Sequence, residues 1–229
     1  LPAAVGLFVL AGPIIRLIYE HGEFTPFDTY WTATALRCYL VGLVFASVDW
    51  PLNYAMYARQ NTLTPALVGI LSVGVYLVAA VLLPVPLGTA GLRFAAGVTD
   101  AASVPPERLR MLGLVLADGA KHAGHAVVMW LLLRRKLGGL PTLGLWSVTA
   151  KAAASALVMG LAVAGLLRWM GGVVGPGVVG ALVTVAVCGA VGAGLYVVLT
   201  ALLRVEEVAV LCGIARTRLG RGRLIQKGE

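Results

Sequence analysis

Four ionisable side chains, Asp118, Lys121, His122 and His125, stand at i, i+3, i+4 and i+7 within an otherwise apolar run. At about 100° per residue, a helix would carry them on one stripe. Ionisable groups at membrane depth are costly to bury, so the stripe must face protein or a water-filled cavity. Asp118 has Lys121 and His122 within reach on its own helix, and pairing lowers the burial cost of both partners. Two readings follow. The stripe is a self-neutralised seam that only docks helices, or it lines a pathway for a substrate or an ion.

A second group lies upstream. Asp49 and Asn53 are four residues apart with Pro51 between them. Pro51 removes a backbone donor and frees the carbonyl of Ser47, so polar atoms gather at one depth. Broken helices of this kind hold substrates and ions in transporters. On the plainer reading, Asn53 only satisfies the freed carbonyl. Arg37, nearer the start of the same run, either snorkels to the interface or holds an anionic head group. His122 and His125 lack the carboxylate or thiolate that would complete a recognised metal set, so no metal or cofactor is expected. There is also no nucleophile with a positioned base and no phosphate-cradling glycine loop, which argues against an enzyme.

The chain that must position these groups has 229 residues, 59% hydrophobic and 12% charged, with a mean hydropathy of +0.91. Soluble domains are about 25% charged. So few polar residues cannot cover a water-facing surface, and the expected fold is an all-α, polytopic transmembrane bundle. The formal charge of +8 does not imply nucleic acid, because the basic residues sit at the ends of apolar runs and in the tail rather than in an aromatic-interleaved patch. Cys38, Cys188 and Cys212 are far apart and match no metal or redox spacing.

About six spans are legible: residues 1–19, 30–56, 64–87, 111–133, 146–170 and 178–203. Each is close to or above the ~20 residues that cross a bilayer core. Pro13 removes a backbone donor and frees the carbonyl of Val9, so a kink is expected in the first span. Thr25, Pro26 and Asp28 read as N-cap, first helical residue and an acid at the positive helix end. Residues 88–110 are the one long connection, with residues 91–102 a candidate interfacial or re-entrant segment. Trp146 and Trp169 are candidate interface anchors, and Gly180, Gly189, Gly192 and Gly194 would permit close helix approach. The organisation reads as four core spans (1–137), a further pair (138–203) and a basic tail (204–229).

Basic residues fix the orientation. Connections after the second and fourth spans and the tail carry Arg59, Arg134, Arg135, Lys136, Lys151, Arg204, Arg216, Arg218, Arg221, Arg223 and Lys227. The other connections carry Arg16, Arg93, Arg108, Arg110 and Arg168. The richer side, including the C-terminus, is expected to be cytoplasmic.

Two stretches resemble the MviN/MurJ family of lipid II flippases, part of the multidrug/oligosaccharidyl-lipid/polysaccharide exporter superfamily. The first runs Pro13-Ile14-Ile15-Arg16-Leu17-Ile18-Tyr19-Glu20-His21-Gly22-Glu23-Phe24-Thr25 and continues through Asp28-Thr29. The second, Tyr57-Ala58-Arg59-Gln60-Asn61-Thr62-Leu63-Thr64-Pro65, is similar to the family's cytoplasmic loop, with Arg59, Asn61, Thr62, Thr64 and Pro65 as its motif residues. Asn61 stands where the family has aspartate. The resemblance implies the C-terminal part of a flippase of about fourteen helices, with an N-terminal lobe outside this chain. The last two spans would form a groove for a lipid tail. The partners implied are an undecaprenyl-type lipid-linked oligosaccharide and the bilayer of the bacterial cytoplasmic membrane. The function implied is transport of lipid-linked peptidoglycan precursor by alternating access. The alternative is a non-transporting scaffold of the same fold that engages a wall-synthesis or division partner.

Overall fold

The computed structural model describes residues 1–98, 104–136, 145–175 and 177–203. Among them the chain is all helical: α1 (Pro2–Tyr19), α2 (Pro26–Ala58), α3 (Leu63–Leu82), α4 (Pro84–Ala96), α5 (Pro106–Lys136), α6 (Leu145–Val173) and α7 (Val178–Leu202). Five of these, α1, α2, α3, α6 and α7, are long and apolar enough to cross a membrane. The expected fourth span lies inside α5, whose 31 residues include the ionisable stripe and a charged segment at each end. Helices α2, α3 and α4 all pack on it. The chain is a polytopic helical bundle. It divides into two compact units: one holds α1 from Leu7 onward, α2 to α5 and the start of α7, and the other holds residues 1–6, α6 and most of α7.

In the first unit α2 is the spine. Thr25 caps it with a reciprocal box: its hydroxyl accepts from the Asp28 amide, and the Asp28 carboxylate accepts from the Thr25 amide. Pro26 follows at the first helical position, where its missing N–H costs nothing. The helix then runs 33 residues, through Pro51. Helix α1 runs unbroken through Pro13. Its end is tied to the start of α2 by Glu20, which accepts from the Thr29 hydroxyl at 2.6 Å and from Arg16 Nε at 3.3 Å. The hydroxyl first, and the guanidinium second, hold the Glu20 carboxyl below its ordinary pKa.

Helices α2 and α5 run parallel. Near their starts Trp31 and Cys38 share a core with Leu109 and Leu112, and near their ends Leu52 and Met56 share one with Ala126, Met129 and Leu133. Between these cores the backbones touch: a Cβ on Gly42 would lie 2.7 Å from the Gly119 Cα. Glycine at both positions is what permits so close a crossing.

The connection expected at residues 88–110 is partly helical. Helix α3 stops at Leu82, and α4 begins at Pro84. Pro84 and Pro86 lie inside the expected third span, 64–87, but that span ends before them, because proline in a first turn starts a new helix. Helix α4 closes on Gly97, whose φ of +67° is the left-handed conformation glycine supplies. Its Gly88 sits on the Leu109 backbone of α5, and Gly113 of α5 sits on the Pro84 backbone. Residues 99–103, which include Asp100, lie outside the described part.

The turn from α2 into α3 is a Schellman closure. The Gln60 amide donates to the Tyr57 carbonyl at 2.9 Å, and the Asn61 amide donates to the Met56 carbonyl at 3.1 Å. Gln60 takes the left-handed position, with φ 57°, where a side chain costs about 1–2 kcal/mol. Glycine there would relieve that strain but lose about 0.5–1 kcal/mol of chain entropy. Gln60→Gly is therefore expected to stabilise by roughly 0.5–1 kcal/mol, read as a higher midpoint of thermal unfolding in detergent; a lower midpoint would contradict it.

In the second unit α6 and α7 run antiparallel. Gly192 faces Val163 and Met159, while Gly189 and Gly194 have nothing near them. Of these three glycines, Gly192 makes the close approach. Cys188 Sγ lies 3.7 Å from Met170 Sδ in the buried seam. Trp169 is exposed. The side chain of Trp146, the break at residues 138–141, Cys212 and the basic tail 204–229 lie outside the described residues.

Candidate functional site

The two polar groups singled out from the sequence meet between α2 and α5. Asp49 and His125 are both buried, each 8% exposed. His125 Nδ1 lies 2.5 Å from Asp49 Oδ1. With Asp49 ionised, Nδ1 carries the proton and donates it to the carboxylate. The Asn53 amide donates to the same oxygen at 3.1 Å and to the Asp49 carbonyl at 2.9 Å. Asn53 therefore serves Asp49 rather than the Ser47 carbonyl that Pro51 frees. The result is a carboxylate held by two donors, one from its own helix and one from a helix 76 residues away in sequence.

One turn away, the rest of the α5 stripe pairs with itself. Lys121 Nζ lies 2.5 Å from Asp118 Oδ1, and His122 Nε2 lies 3.8 Å from Asp118 Oδ2. These side chains are a quarter to a third exposed. Lys121 also sits over the Tyr76 ring of α3, 5.7 Å from its centroid. The stripe thus has two parts. A buried member, His125, is committed to α2, and three partly open members form a neutralised cluster facing α3.

Arg37 is tied down by protein. Its Nε donates to the Phe8 carbonyl of α1 at 3.2 Å, and a terminal nitrogen donates to the Ala95 carbonyl at the end of α4 at 3.3 Å. The guanidinium lies 5.8 Å from the centroid of the Phe8 ring. A cation at the carbonyl end of a helix is favourable, so Arg37 joins three helices instead of extending to a surface. Arg108 was legible only as part of a connection, but it lies over Phe27 at 5.2 Å and Trp31 at 5.8 Å. No periodicity in the sequence could have paired these residues.

The motif loop is structural at atomic scale. Asn61 Oδ1 accepts from the Thr64 amide at 3.1 Å and so satisfies a donor at the start of α3. Thr62, formally the N-cap, makes no side-chain cap bond. Lys136, at the end of α5, donates to the Thr64 hydroxyl at 3.4 Å. Pro65 is buried and Arg59 is exposed. Among the described residues no cluster of three or more His, Cys, Asp or Glu side chains could hold a metal ion.

Comparison with known proteins gives a consistent result. Residues 1–105 match the family model described as lipid II flippase MurJ. A probable lipid II flippase MurJ of Bdellovibrio bacteriovorus is 37% identical over 91 residues, which is 40% of this chain and 17% of that protein. The lipid II flippase MurJ of Thermosipho africanus is 43% identical over 65 residues, 28% of this chain and 14% of that protein. A probable lipid II flippase MurJ of Vibrio cholerae is 30% identical over 154 residues, 66% of this chain and 28% of that protein. The matched stretches span less than a third of each relative's length.

Proposed function

We infer that this chain, a member of the MurJ family through its residues 1–105, forms the C-terminal part of a lipid II flippase and performs no covalent chemistry. It would move lipid-linked peptidoglycan precursor across the bacterial cytoplasmic membrane by alternating access, with an N-terminal lobe supplying the other wall of the cavity. The tail and the Arg59 loop would lie in the cytoplasm, where their positive charge favours them. Moving a phosphorylated head group through lipid requires polar groups at membrane depth held by helices that can exchange partners.

The observation that carries this reading is the buried Asp49–His125 pair joining α2 to α5, with Asn53 on the same carboxylate. A carboxylate buried so deep in an apolar bundle is costly even when paired, and that cost supports a role beyond packing. The test is complementation of a flippase-depleted bacterium by the intact gene and by its Asp49→Ala and Asp118→Ala variants. Rescue by the intact gene and loss of rescue with Asp49→Ala is the expected result. The reading fails if the intact gene does not rescue. It also fails if both alanine variants rescue fully while removal of residues 216–229 abolishes function, the pattern a scaffold would give.

A further inference from the structure

We propose that the Asp49–His125 pair is a binding site for one exchangeable proton, and that the bound proton latches α2 to α5. This deepens the transport reading and rests on it for its purpose, though not for its chemistry.

An ionised Asp49 hydrogen-bonded through His125 Nδ1–H to a neutral imidazole has a net charge of −1. Both side chains are about one-tenth exposed, so water cannot screen that charge. Asn53, the other donor to Asp49, is neutral. The groups facing the pair from the packed helices do not cancel it either. On α5, Lys121 is committed to Asp118, and His122 faces that same carboxylate. On α3 the one titratable side chain is Tyr76, whose ring lies against Lys121. Helix α4 carries only Arg93, which is exposed. On α2 the nearest cations are Arg37 and Arg59, 12 and 10 residues away along the helix, or about 18 and 15 Å at 1.5 Å per residue. Tyr54 and Tyr57 on α2 are exposed. The buried unit is therefore short of one positive charge.

A proton supplies it with the fewest demands. Taken up at His125 Nε2, it gives an imidazolium against a carboxylate, neutral as a pair and joined by the Nδ1–H bond already in place. No covalent bond breaks, and the same proton leaves from Nε2 on release. A sodium ion would need several oxygen ligands, and the Asp49 Oδ1 atom already serves two donors. In the proton-bound state the pair can stay buried. In the proton-free state it holds an uncompensated charge, which drives the helices apart and admits water. The latch is thus closed at low pH and released as pH rises.

The experiment uses the intact protein in lipid nanodiscs with no lipid substrate present. Nitroxide labels at Tyr57→Cys and Arg134→Cys, exposed positions near the ends of α2 and α5, report the helix separation by pulsed electron resonance. One short distance is expected in acid, with a second, longer one growing in as the pH is raised. Asp49→Asn removes the negative charge, so the neutral-imidazole state becomes the balanced one and the direction of the pH dependence reverses. His122→Gln leaves the wild-type step in place. The proposal is overturned if the wild-type distances ignore pH, if Asp49→Asn keeps the wild-type sign, or if His122→Gln removes the step. A distance that titrates in a protein whose gene fails to rescue would overturn the transport reading alone. A gene that rescues while its distances ignore pH would overturn this proposal alone.

Discussion

Asp49→Ala should destabilise the protein by about 3–5 kcal/mol, because removing one partner of a buried pair strands the other. His125, 8% exposed, would keep its place between α2 and α5 with no acceptor, and the Asn53 amide would lose one of its two bonds. Replacing both partners separates stability from function. In Asp49→Leu/His125→Leu no polar group is stranded, and apolar pairs of similar size are commonly as stable as the buried pair they replace. The double variant should recover most of the loss in thermal unfolding and still fail to rescue flippase depletion. A double variant as unstable as Asp49→Ala would mean that packing at this level, and not charge, is what the pair supplies. One that rescues growth would remove the pair from the transport pathway.

The second large effect is expected where α4 meets α5. A Cβ on Gly88 would overlap the Leu109 carbonyl, and one on Gly113 would overlap the Pro84 carbonyl. Both obstacles are backbone, so no side chain can turn aside to make room. Overpacking costs about 1–3 kcal/mol where side chains can adjust, and more where they cannot. Gly88→Ala and Gly113→Ala are each expected to lose at least ~3 kcal/mol and to abolish accumulation of folded protein in the membrane. Gly69→Ala on α3, where nothing lies within 4 Å, should behave as wild type. The comparison is made by detergent-extracted yield and size-exclusion profile. Normal yield of Gly88→Ala would show that α4 does not pack on α5 in this register.

The sequence made some of this legible and hid the rest for identifiable reasons. The stripe on α5 and the Thr25-Pro26-Asp28 start of α2 depend on spacing within one helix, which periodicity and capping chemistry reveal. The Asp118–Lys121 contact is of the same local kind. The partner of His125 was not legible, because Asp49 lies 76 residues away and only helix packing brings them together. Arg37 was ambiguous for the same reason, since its acceptors are backbone carbonyls on α1 and α4 that no side-chain pattern advertises. Helix α4 was hidden because the apolar run continues through Pro84 to Leu87, so its first turn was read as the end of the third span. The left-handed turn after α2 was hidden because glutamine, not glycine, occupies it.

The contact between Gly42 and Gly119 gives α2 the geometry of a lever. Asp49 is 7 residues beyond that contact and Ala58, where the helix ends, is 16, so the two arms are about 10 and 24 Å at 1.5 Å per residue. If α2 tilts as a rigid rod about the glycines, a gap of ~1 Å at Asp49 becomes a movement of more than ~2 Å at the end of the helix. The turn rigidly closed onto Met56 and Tyr57 would travel with it and carry the start of α3. A displacement no larger than the loss of one hydrogen bond would thereby be enlarged at the far end of α2.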